Sequence, residues 1–488
     1  MKKIITFLFL VVATQISFSQ SYKILNTAAG KLENFVTLTD GDELYGYAEL
    51  RQLDELSPTE VKFKYIILDK NMNTINSGEF VETKVKKKCV IENYQIVYNN
   101  GHILFNFIEN FVSEQLFINI KFKYKILGLA ANKITASGTY DKSIKPDDNN
   151  IPKMFKNVKY YAAAALSNSG FFVQLVNFDK KKDESACFAI DFNGEQLWAS
   201  NVKQAEEKHE YEYQFFEMDE NTLSFIATKS RGSKKVSDHL LILDTKTGKE
   251  ISFTNLYNDT YTLLFSFSKI NDEKLTIIGR YFEKEKRDRV EYDESLGLYK
   301  REIDMKSGKI ISEIFLPYSK FNFKDISENG KVKGEGILDF RKIDQNPDGS
   351  FFMIAETFRA KSKHNLYFEL YVFQIDKDFN SISTKSFDTE KSFKSKYRFS
   401  QELLGNAGKV YFFYDKNEDK KLELNLIDFN FSSKEITLSK MNLNTTESKI
   451  TVFPAKTGYV AIKEEFTNPK KGESQIEIRL EKLNYERQ

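Results

Sequence analysis

The residues that could carry catalysis are few and poorly spaced for it. The four histidines, His102, His209, His239 and His364, share no metal-ligand spacing, and no HExxH, CxxC or GxSxG stretch occurs in the 488 residues. His209 lies among Glu206, Glu207, Glu210 and Glu212, a run that reads as a solvated loop entering a strand. Glycoside hydrolysis needs two facing carboxylates about 5–10 Å apart, and 70 acidic residues nominate no pair. Two stretches echo calcium loops. Asp344-x-Asn346-x-Asp348-Gly349 sets oxygens at alternate positions with a glycine at the sharp turn, but Ala355 stands where the bidentate glutamate belongs. Asp415-x-Asn417-x-Asp419 lacks the glycine as well. A Pro-Asp-Gly turn explains the first stretch without an ion. No metal is therefore assigned, Asp344, Asn346 and Asp348 being the one candidate set, and no cofactor is expected.

Basic side chains form the other candidate constellation. Lys180, Lys181 and Lys182, then Lys229, Arg231, Lys234 and Lys235, then Arg359, Lys361 and Lys363, and finally Lys470 and Lys471 fall in successive connections between apolar stretches. Such loops would attract an acidic glycan or an acidic protein patch; lysines that merely keep loops solvated are the plainer account. The whole chain supplies no steering field, because 72 basic and 70 acidic residues leave a net charge of +2. With no basic arm and no zinc-finger spacing, nucleic acid is not an expected partner.

The elements that must position these residues are strands. There are 43 Phe and 25 Tyr against 7 Pro, and no stretch has a sustained helical period. A hairpin recurs about eight times. It reads FKYIILDKNMNTINSGEF at 63–80, CFAIDFNGEQLWAS at 187–200, LLILDTKTGKEISFTNL at 240–256 and YVFQIDKDFNSISTKSF at 371–387. An apolar strand ends on Asp69, Asp191, Asp244, Asp304, Asp376 or Asp428; a turn with Asn, Gly, Lys or Thr follows. The aspartates are expected to cap those turns. Another strand pair precedes each hairpin, so the unit has four strands, A to D, with B strands starting near 43, 103, 171, 223, 275, 351, 410 and 459. This period predicts an all-β fold: one β-propeller of about eight four-stranded antiparallel blades, with seven as the alternative. The last unit stops at Gln488 without a D strand, while Tyr22–Leu25 have no partner in the first. The N-terminal segment is therefore expected to close the ring on the final blade.

Residues 1–19 read as a signal peptide: Met1-Lys2-Lys3, the apolar run Ile4–Ala13, then Ser17 and Ser19 before Gln20. The propeller is assigned to residues 20–488, with no transmembrane segment in the mature chain. Secretion to the periplasm or outer envelope is expected, as a monomer. Cys89 and Cys187 lie in apolar strands of different units and are expected to be buried free thiols, a single disulfide being the alternative.

The hairpins Ala189–Trp198 and Leu243–Lys249 resemble the repeats of quinoprotein-type propellers, in which a strand ends in Asp, a Thr-Gly turn follows and a Trp closes the unit. Only one unit here has the Trp, and no quinone-holding residues can be placed. The whole pattern is similar to uncharacterised secreted propeller proteins of Gram-negative bacteria, a resemblance that implies architecture and no activity. The expected function is a non-enzymatic scaffold whose variable B–C and D–A loops share one face and meet an envelope protein or acidic glycan. The alternative is an envelope hydrolase, of glycoside or peptide bonds, with a site on the central axis.

Overall fold

The computed structural model describes residues 22–25, 30–41, 43–113, 116–140, 160–176, 186–202, 205–206, 209–231, 234–284, 295–323, 325–360, 364–403, 407–416, 422–443, 448–467 and 474–483. The predicted signal segment, Lys180–Lys182 and Lys361 lie outside them. Eight antiparallel sheets follow one another around a ring. Blade 1 spans 31–83, blade 2 89–139, blade 3 160–201, blade 4 205–255, blade 5 261–317, blade 6 331–387 and blade 7 397–442. Blade 8 combines 448–482 with Tyr22–Leu25, which pairs antiparallel with Ser474–Lys482 from Tyr22↔Leu480 to Leu25↔Glu477. The expected closure is therefore formed, and B strands begin at Glu43, His102, Gly170, Thr222, Lys274, Phe351, Gly408 and Tyr459. Among the described residues one helical turn appears, the 3-10 segment Tyr318–Lys320. No helix among them is long and apolar enough to cross a membrane.

The core lies between the blades. Eight apolar clusters occupy the eight interfaces, including the one that joins blade 8 to blade 1 through Phe35, Tyr47, Ala461, Ile478 and Leu480. Each blade is covered on both sheet faces, which explains why strand B of blade 6 (Phe351–Ala360) is buried at eight successive positions. Outer strands are mostly exposed or half-buried instead, because one edge meets water. Both cysteines sit in this interior as free thiols in different blades. Burial pushes the Cys89 thiol up to about 11 and that of Cys187 up to about 12, which leaves both inert.

Bulges recur at two radii. In outer strand D the register skips Ile75, Leu197, Ile251, Ile311 and Ile382, so each edge twists away from further pairing. In innermost strand A it skips Glu33, Tyr94, Phe216, Ser266, Arg341 and Arg398. The A strands of neighbouring blades lie side by side around the axis, as where Asn34 of blade 1 donates to Asn93 of blade 2 at 2.9 Å. A bulge there redirects one side chain per blade.

Candidate functional site

The A–B and C–D turns emerge on one face and the B–C and D–A connections on the other. On the turn face the capping aspartates are satisfied locally. The Asp244 carboxylate accepts from the amides of Lys246 (3.1 Å) and Thr247 (2.7 Å) and from the Thr247 hydroxyl (2.7 Å). Asp69, Asp191, Asp304 and Asp376 do the same in their own turns. These hydrogen bonds hold the Asp244 and Asp304 carboxyls below the ordinary value. Gly248 supplies the left-handed φ of +66° and lies under the Trp198 ring of blade 3, whose Nε1 donates to the Thr245 carbonyl at 2.8 Å. A side chain at 248 would strike that ring.

Blade 7 corrects one expectation. Asp428 does not cap its turn; Asn430 does, its Oδ1 accepting from Ser432 and Ser433 at 2.9 Å each. Asp428 sits two residues earlier inside the strand, opposite Val410 and Thr437. Its Oδ1 is buried without a hydrogen-bond partner, and burial pushes the carboxyl up to about 6.

On the loop face the charges are buried and shared between blades. Glu356, near the end of strand B of blade 6, is 1% exposed. Its Oε1 accepts from the amides of Lys396 (2.6 Å) and Tyr397 (3.0 Å), where the chain enters blade 7. Its Oε2 takes the Arg341 Nε at 3.1 Å, and Arg341 also pairs with Asp339 at 2.8 Å and lies 5.0 Å from the Tyr367 ring centre. The Lys396 ammonium donates to the Phe368 carbonyl (2.5 Å) and to the Thr389 hydroxyl. Burial lowers the Lys396 pKa and raises those of Asp339 and Asp415. A second cluster on blade 6 joins two carboxylates through one phenol: Tyr371 Oη donates to Glu335 at 2.9 Å, with Glu369 at 3.3 Å. Burial, then the Glu335 charge, raises the Glu369 pKa. Between blades 4 and 5, Asp238, Tyr257, Asn258 and Tyr261 line a cavity of about 40 Å³, room for a few waters at most.

A family model described as a family of unknown function, DUF6770, matches residues 1–373, well over half of the chain. The chain belongs to DUF6770. The match ends inside blade 6, so in this member the propeller continues past it. No curated protein matches this DUF6770 chain. Among solved structures it is similar to the WD40 domain of SCAP from fission yeast (9% identity, TM-score 0.43, covering 95% of this chain and 98% of that one). It is also similar to a europium-containing methanol dehydrogenase (10%, 0.44, 96% and 95%). A third is the quinohemoprotein alcohol dehydrogenase ADHIIG from Pseudomonas putida HK5 (10%, 0.46, 96% and 76%). The propeller assignment of this DUF6770 member rests on its own eight sheets.

The structure distributes the predicted site residues rather than gathering them. Arg231 and Lys234 face each other in register across a two-residue hairpin of blade 4, with Lys235 next along the strand. Arg359 ends strand B of blade 6, donates to the Gly334 carbonyl and lies 5.0 Å from the Phe368 ring centre. Blade 5 stands between these two groups. In the calcium-like stretch Asp344 pairs with Lys409 (3.1 Å) and Lys342 (3.3 Å). Asp348 takes Lys434 at 2.6 Å, and the hydrogen bonds from Lys434 and Ser350 hold it at about 2. Asn346 donates to the Ser350 hydroxyl at 2.8 Å. One oxygen of each carboxylate is thus held by lysine, while Asp344 Oδ2 and Asn346 Oδ1 are buried without a hydrogen-bond partner. Sequence reasoning missed Glu356, Lys396, Arg341 and Arg398. The available signal was Glu356, a charge inside an otherwise apolar strand, FFMIAETF.

Proposed function

We propose that the chain is a non-enzymatic binding scaffold, exported by its N-terminal leader to the periplasm or outer envelope, which offers its loop face to a protein or glycan partner. One observation supports the reading above others: the hairpin-capping aspartates of the turn face take their donors within single turns, whereas the loop face concentrates buried charge between blades 6 and 7. Such charge on a rigid scaffold is the usual setting for recognition. The test is a pull-down from solubilised cell envelope, comparing the natural chain with one in which Lys180–Lys182, Lys234 and Lys235 are Ser. A defined partner held by the first and lost by the second supports the reading. Equal retention, or none, removes the basic loops from it.

A second reading, an envelope hydrolase, is favoured by Glu335 and Glu369, two carboxylates joined through Tyr371. It predicts bond cleavage in envelope polysaccharide or peptide by the natural chain, abolished in Glu369→Gln. Failure to release reducing ends or new amino termini sinks it.

A further inference from the structure

We infer that the loop-face mouth of the central axis, at the innermost strand of blade 7, binds an acidic saccharide whose carboxylate is taken by Arg398. The site deepens the scaffold reading and rests on the same face. Arg341 and Arg398 are the bulged residues of adjacent innermost strands, so the backbone aims one guanidinium per blade at the same level. Their partners differ. Arg341 is held by Asp339 and Glu356. Several other buried cations hold carboxylates, Lys123 with Glu109 at 2.7 Å, Arg301 with Glu313 at 2.6 Å and Arg479 with Glu464 at 2.5 Å, whereas Lys396 is satisfied by a carbonyl and a hydroxyl.

Arg398 has no carboxylate within ion-pair distance among the described residues. Its Nη1 donates to the neighbouring Tyr397 carbonyl at 3.3 Å, its Nε is buried without an acceptor, and the guanidinium lies 4.2 Å from the Tyr414 ring centre. Tyr414 is fixed in turn, its hydroxyl accepting from the Val452 amide of blade 8 at 2.9 Å. The carboxylate whose charge acts on Arg398, Glu356, is committed to Arg341 and to two amides, the second of which belongs to Tyr397. The chain thus orients a desolvated planar cation and leaves its counter-charge to a ligand, and a guanidinium fork fits a carboxylate.

The D–A connection that delivers Arg398 also carries Phe393, 63% exposed, with His364 beside it at 6.3 Å between ring centres. An exposed ring on the connection that leads to this cation suits a sugar that is apolar on one face and acidic at its rim. That pairing favours a uronate over an acidic peptide.

Calorimetric titration of the purified chain with tetragalacturonate, maltotetraose and hexaglutamate tests the site. The natural chain is expected to bind tetragalacturonate and not maltotetraose. Arg398→Met, which keeps the stem over Tyr414, should weaken binding on the order of tenfold or more. Arg398→Lys, a point charge without the fork, should fall between. Phe393→Ser, too exposed to disturb folding, should weaken it severalfold. No binding of tetragalacturonate, unchanged affinity in Arg398→Met and Phe393→Ser, or tighter binding of hexaglutamate each overturns the proposal, the last by assigning the site to acidic peptide. An envelope partner retained equally by the natural chain and Arg398→Met keeps the scaffold reading and removes this site.

Discussion

The two faces of the disc solve the same problem, placing charged groups at the ends of strands, in opposite ways. On the turn face each capping aspartate finds its donors within about four residues, and hydrogen bonds made inside one turn hold the carboxyls of Asp244 and Asp304 low. Between blades 6 and 7 on the loop face, donors come from another strand or the next blade, and burial dominates the pKa of Asp339, Asp415 and Lys396. A local cap depends on its own turn alone. A shared carboxylate ties several segments together, so its loss propagates. The comparison teaches that the hairpin caps stand alone, even where Asp348–Lys434 and Trp198–Thr245 cross blades on the same face, whereas the carboxylate of Glu356 is held by several segments at once.

The sharpest way to break this contrast is Glu356→Gln. It leaves the half-buried Arg341 with Asp339 alone and weakens the acceptor for two amides at the entry to blade 7. Breaking a buried pair on one side costs about 3–5 kcal/mol, which a lowered urea midpoint would report. A loss below about 1 kcal/mol would mean that the loop-face network is not structurally shared. The turn-face counterpart is Asp244→Ala, which removes an acceptor for three short-range bonds. About 1–2 kcal/mol is expected, with hydrogen exchange speeding up in the 244–249 turn and not in blades 3 or 5. Exchange that spreads to neighbouring blades would contradict local closure.

The division between the faces also decided what the sequence revealed. Turn caps are local, so Asp69, Asp191, Asp244, Asp304 and Asp376 announce themselves in strings such as LDTKTGK, and their spacing yielded the blade number and the strand starts. The N-terminal closure was legible for a similar reason: an unmatched strand at one end met a missing one at the other. The network around Glu356 was not legible, because Arg341, Glu356, Lys396 and Arg398 are brought together by register and bulges across two blades. Even on the turn face a local signal misled once. In LIDFNFSSKE the aspartate type was followed, but the geometry of the turn follows Asn430, whose backbone makes the bonds that Asp244 makes in blade 4.

That misplacement leaves a smaller test, and an exception to the pattern of the turn face. Asp428 shares a strand face with Leu424 and Leu426, which pack against blade 8, and its Oδ1 has no partner there. A folded-state pKa raised to about 6 means that the native protein holds its proton more tightly than the unfolded chain. Stability from this group is therefore fully present below the ordinary carboxylate range, declines as pH rises toward about 6, and stays reduced above it. Asp428→Asn keeps the neutral shape at every pH. After discounting for partial exposure it should stabilise by about 1 kcal/mol at pH 7.5 and by almost nothing at pH 4. Thermal melts at the two pH values check this. An equal shift at both would assign the effect to packing, and a loss at pH 7.5 would show that the ionised carboxylate has found a partner.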